Sequence, residues 1–112
     1  MGARLIHTGN TIDYTPGSAV AAGDVVVQGE LVGVANIDIP AGVQGALAVS
    51  GVFDFPKEAG GGVTFAFGAL GYWDDTNDVA VATDGGGANK LIGKAVAVAA
   101  DGDATARFRM SQ

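Results

Sequence analysis

The chain has 112 residues, with twelve acidic and six basic side chains, one histidine and no cysteine, for a formal charge of −6. That length sets one domain, or one domain with an arm. The missing cysteines exclude disulfides and thiolate sites, the single histidine excludes His-pair metal sites, and the acidic balance argues against binding bare DNA or RNA, which needs clustered Lys and Arg.

No twelve-residue span carries a clean 3.6-residue apolar period, and alanine alternates with valine between frequent glycines, so strand is favoured over helix. In chain order, strands are predicted near Leu5–His7, Thr11–Tyr14, Val25–Gln28, Leu31–Ile39, Ala46–Phe55, Gly71–Trp73, Asp78–Thr83, Leu91–Ala99 and Ala104–Met110. Turns are predicted at Gln28–Glu30, Pro40–Gly42, Asp74–Asn77 and Asp101–Asp103, with Asp101-Gly102 suited to a hairpin that needs positive φ. Ser18–Ala22 reads as a single helical turn. Short strands at this spacing give an all-β chain, a small β-sandwich or barrel. Residues 1–14 read as an N-terminal arm or a first strand, and residues 15–112 as one β domain. No stretch reads as a signal peptide or an 18-residue apolar block, so no membrane partner is expected.

The chain also repeats itself. Leu31-Val32-Gly33 shifted by 60 residues lands on Leu91-Ile92-Gly93, and Ala35, Gly42 and Ala46 land on Ala95, Gly102 and Ala106. Two similar hairpin halves follow, with the odd positions of both copies facing inward. In this register Val34, Leu47 and Val49 match Lys94, Arg107 and Arg109. If the cations face solvent, the first copy shows an apolar face at Val34, Leu47 and Val49. That face is expected to be covered by another subunit or by the N-terminal segment, or else to lie under a second sheet of the same chain. Tyr72 and Trp73 are adjacent, so on a strand they point to opposite faces; one belongs to the core and the other to an interface or under a loop.

Catalytic and ligand motifs fail their tests. Counted from Asp74, an EF-hand needs Gly at the sixth place and Glu at the twelfth, where Val79 and Gly85 stand. Gly85-Gly86-Gly87-Ala88-Asn89-Lys90 lacks the Gly-Lys-Ser/Thr of a phosphate loop and reads as a flexible hairpin loop. No serine sits in a nucleophile elbow. Asp54 and Glu58 are a possible acid–base pair with nothing else to mark a sugar site. No catalytic residue, cofactor or metal is expected.

Asn10–Thr15, Gly23–Val27, Leu31–Ala35, Gly51–Lys57, Gly71–Asp74 and Leu91–Ala95 together, in order and spacing, resemble the small capsid cement (decoration) proteins of tailed bacteriophages over nearly the whole chain. The Gly- and Phe-rich run Gly60–Phe67 departs from that pattern. The resemblance implies an all-β structural protein on the outer surface of the phage head, a homotrimer that holds major capsid subunits together, with no catalytic residues. The N-terminal segment, with a pivot at Gly9-Asn10 and apolar groups it cannot all bury by itself, is expected to be a tether, or else the first strand of its own sheet. Leu5, Ile6, Ile12 and Tyr14 give it apolar groups, and with Val34, Leu47, Val49 and Trp73 these are the expected capsid or subunit contacts. The alternative is a small acidic carrier module of the biotinyl or lipoyl type, which displays one lysine at a hairpin tip. Lys94 sits inside a predicted strand and Lys57 is a weak candidate.

Overall fold

Valine-rich runs punctuated by glycine do become strands. A computed structural model describes residues 10–110. Within them lie nine strands: β1 Thr11–Tyr14, β2 Val25–Gln28, β3 Leu31–Ala35, β4 Gly45–Ala48, β5 Gly51–Pro56, β6 Leu70–Asp74, β7 Val79–Val81, β8 Lys90–Ala95 and β9 Thr105–Met110. Among the described residues the helical content is one 3-10 turn, Gly85–Gly87, capped by Asp84, whose carboxylate accepts from the Gly86 N–H. The chain is therefore all-β. The strands form two antiparallel sheets, ordered β1-β4-β3-β2 and β5-β9-β8-β6-β7. Neither closes into a barrel, although a parallel bridge between Lys57 and Ala80 draws the outer strands of the second sheet together.

Several predicted elements are shorter or broken. The single run expected over Ala46–Phe55 divides after Ala48, and its two parts join different sheets. Gly51 makes the division possible, because its φ of 113° lies where side-chain-bearing residues are strained. Alternation of apolar residues cannot reveal such a change of sheet. The expected helical turn at Ser18–Ala22 is instead a bridge: the Val20 and Ile39 backbones exchange two hydrogen bonds of 2.9 and 2.8 Å. The predicted strand near Leu5–His7 lies outside the described residues.

The duplication is real and larger than expected. Each sheet contains a four-strand unit whose first strand pairs with its fourth: β1, β2, β3, β4 in one half and β5, β6, β8, β9 in the other, with β7 added. The details repeat. Ala35 accepts from Gly23 and donates to Asp24, as Ala95 accepts from Gly68 and donates to Ala69. Val20–Ile39 and Phe65–Ala99 are matching bridges. The gapless register is wrong, however. Ala35 pairs with Leu47, but Ala95 pairs with Phe108, not with Arg107. The second half carries one extra residue between its strands, which converts Leu47 into the counterpart of Phe108 and Ala48 into that of Arg109. The turns differ accordingly: Gly42 has φ 75°, whereas Gly102 is not among the glycines with positive φ, contrary to expectation.

This shift decides the core. A one-residue slip moves a strand's side chains to the other face, so Leu47 and Phe108 are both buried, at 1% and 0% exposure. The main cluster gathers Phe55, Phe65, Trp73, Ile92, Phe108 and Met110 of the second half with Val32 and Val34 of the first. Phe108 makes edge contacts with Phe55 and Phe65 at ring-centroid distances of 5.9 and 4.9 Å. A smaller cluster of Ala35, Ile39 and Leu47 is flanked by Ile12, Tyr14, Val20 and Val26. Val32 and Val34 thus point to one cluster and Ala35 to the other, so β3 is covered on both faces. The expectation that only odd positions face inward holds for neither copy, because Val32 and Ile92 are both fully buried.

Candidate functional site

The expected contact residues separate into three groups. Leu5 and Ile6 lie outside the described residues. Ile12 and Tyr14 are on β1, an edge strand of the four-stranded sheet, half-buried beside Leu47 and Gly45. Val34, Leu47 and Trp73 are corrected: each is buried inside this chain, and Trp73 keeps only 2% exposure while its indole N–H donates to Asp75. A side chain already enclosed by its own core has no surface to give a partner. Val49 is half-buried where the chain passes between sheets, and its N–H donates to the Asn10 carbonyl.

The lysine and arginine residues are distributed with equal clarity. Lys57 is 4% exposed, and its ammonium donates to three backbone carbonyls, those of Glu58, Asp101 and Asp103, at 2.8, 3.1 and 3.0 Å. It ties the loop after β5 to the β8–β9 hairpin. An amine so enclosed cannot be acylated by an external enzyme, which removes Lys57, already a weak carrier-lysine candidate. Lys90 pairs with Glu30 across the two halves at 3.1 Å. Arg107 forks onto Asp54, Nε to Oδ1 at 2.8 Å and Nη2 to Oδ2 at 3.1 Å. That hydrogen bonding, with the guanidinium charge, holds the Asp54 carboxyl below its ordinary range. Asp54 is committed to Arg107 and is not half of a free acid–base pair.

Lys94 and Arg109 differ from the rest. They are direct partners in the β8–β9 ladder, both exposed, and neither has an ion pair among the described residues. Like charges directly opposite on a sheet repel. The row continues on both sides, since Val52 pairs with Arg109 and Leu70 with Lys94. Val52 and Leu70 are exposed by 55% and 45%. The outer face of the five-stranded sheet thus bears a stripe in the order Val52, Arg109, Lys94, Leu70. The gapless repeat hid it by pairing Arg109 with Val49 instead of Ala48. Its signal in the sequence was the alternation of Thr105–Met110, where every second side chain is apolar and the others are Thr or Arg.

The acidic stretch after β6 is a self-contained turn. Asp74 accepts from the Thr76 and Asn77 N–H groups and from the Asn77 side-chain amide, which lowers its carboxyl pKa. No group of three or more potential metal ligands occurs among the described residues. A groove of about 530 Å³ is open and lined by Tyr14, Val20, Asp24, Val27, Trp73 and Asp75 among others. Asp24 and Asp75 each accept a local hydrogen bond there. No helix among the described residues is long and apolar enough to cross a membrane.

Comparison with known proteins adds one finding. A family model described as phage cement protein matches residues 6–110. No curated protein and no solved structure matches the chain.

Proposed function

Since the chain belongs to the phage cement protein family, we propose that it decorates the outer surface of a phage head as a homotrimer and stabilises contacts between major capsid subunits, without catalysing a reaction. The observation that carries this reading is the family match over 6–110. The fold is compatible with it. A cement protein adds buried interface to a shell under internal pressure from packed DNA, so it needs a stiff body with exposed edges and faces, not a reactive pocket. Two cross-braced sheets supply the body. The acidic surface, with two of the five described cations in ion pairs and one buried, discourages adhesion to the DNA itself.

In this reading the first fourteen residues form the tether, with Leu5, Ile6 and Ile12 as anchors and Tyr14 beside them. Strand addition to an exposed sheet edge is a common way for such a segment to bind, and β1 lies at an edge of its own sheet. Co-sedimentation with phage heads, with copy number per capsid subunit, tests the proposal: saturable binding at a fixed ratio is expected, and no binding to any head preparation of the parent phage would refute it. Deleting residues 2–9 tests the tether. A truncated protein that folds and decorates heads with unchanged affinity would show that the tether lies elsewhere.

A further inference from the structure

We propose that the stripe Val52, Arg109, Lys94, Leu70 is a docking surface for a second copy of this chain, and that it seats on the carboxylate-bearing first half of that copy. The inference rests on the cement reading only in that both involve self-association; the surface itself is argued from the fold.

The duplication makes the first argument. With the corrected register, Val34 is the counterpart of Lys94, Ala48 of Arg109, and Val25 of Leu70. In the first half this face is already an interface. Val34 and Ala48 are 6% and 5% exposed, and Val34 with Val25 packs into the aromatic cluster of the second half. The same face of the second half has no further half in the chain to pack against. A second copy supplies one, and the contact would be heterologous, running from the second half of one copy to the first half of the next.

Charge makes the second argument. Residues 10–50 contain Asp13, Asp24, Glu30 and Asp38 and no Lys or Arg, whereas residues 51–110 hold eight acids and all five described cations, Lys57, Lys90, Lys94, Arg107 and Arg109. Both halves are net negative, so the complementarity is local: the cations of the second half can meet carboxylates of a first half that has no cation of its own, and the chain already uses this once, in the Lys90–Glu30 pair. Glu30 is thereby engaged, while Asp13, Asp24 and Asp38 are exposed. Lys94 and Arg109 face each other with no carboxylate paired to them among the described residues, at a cost that a partner's carboxylate would reverse. The flanking Val52 and Leu70 call for a protein surface, not a small anion.

Sedimentation of the full chain over a concentration series, in low and high salt, tests this. Wild type is expected to self-associate, more weakly in high salt, and Lys94→Glu/Arg109→Glu to raise the dissociation constant by about tenfold or more. The uncharged pair Lys94→Gln/Arg109→Gln should weaken association too while melting no lower than wild type, because the cross-strand repulsion is gone; circular dichroism verifies that each variant is folded. Leu70→Ser should weaken association without changing charge. A wild type that stays monomeric, or folded variants that associate as wild type does, would overturn the proposal. Head binding separates the two readings. A wild type that associates through the stripe but ignores phage heads would sink the cement reading and leave the stripe standing. A monomeric wild type whose head binding vanishes in Lys94→Glu/Arg109→Glu would overturn the second-copy assignment and give the stripe to the capsid subunit.

Discussion

The two halves have one strand order and two different interiors. The first encloses Ala35, Ile39 and Leu47; the second, at the equivalent places, encloses Ala95, Ala99 and Phe108 together with Phe55, Phe65 and Trp73. Where Ile12 pairs with Leu47, Phe53 pairs with Phe108. The topology therefore does not depend on one set of core residues. It depends on a pairing pattern that survives when aliphatic groups are exchanged for aromatic ones. What does depend on the residues is the division of labour: the larger aromatic core anchors the molecule, and the first half leans on it through Val32 and Val34.

That asymmetry can be broken at measurable cost. Phe108→Ala should have the largest effect, about 3–5 kcal/mol, since it empties the centre of the main cluster. Leu47→Ala at the equivalent place should fall at the low end of the roughly 2–5 kcal/mol range, because its cluster is smaller. Denaturant titration measures both, and equal losses would show that the halves share the load. Next comes Gly71→Ala. A β-carbon there would coincide with the Phe108 ring, so a loss of about 1–3 kcal/mol is expected. Combining it with Phe108→Leu should recover part of the loss, as neighbours in contact are not additive.

Smaller effects follow at the polar contacts. Lys57→Met keeps the buried stem but strips three carbonyls of their donor, with an expected cost of about 1–3 kcal/mol. Amide exchange should rise first around Asp101–Asp103; uniform exchange changes would mean that Lys57 is not a local brace. The smallest effect belongs to Asp54–Arg107. The folded-state pKa of Asp54 is depressed, so its contribution is present above the unfolded value, about 3.9, and is lost as pH falls through the folded value. Both side chains are roughly half exposed, so solvent screening limits it to less than about 1 kcal/mol. Thermal melts of Arg107→Ala should trail wild type at neutral pH and converge with it in strong acid. Asp13, the first-half counterpart, stands opposite Ala46 and has no arginine to lose.

Much of this was legible in advance. Hairpin Val25–Gln28 to Leu31 was readable because Gly29 supplies the turn, at φ 61°. Strand identity followed from alternation, and the duplication from Leu-Val/Ile-Gly followed by a return strand. The contact residues fared worse. Val34, Leu47 and Trp73 were named as contacts, with burial inside the same chain as the alternative, and they lie in the core, since an apolar residue looks the same in sequence whether its cover comes from its own chain or from another.

By itself the sequence determined that this chain is all-β, built twice over, and acidic, because those properties follow from local backbone preference, periodicity and a count of charges. The tertiary structure decided which face of each strand is inside. A single extra residue between β8 and β9 sets that choice for the second half, and a gapless comparison passes over it because alanine and valine fit either face. The same residue brings Lys94 and Arg109 side by side on the open face of the second sheet. Their adjacency is a matter of register between distant strands, settled by what Phe108 can bury.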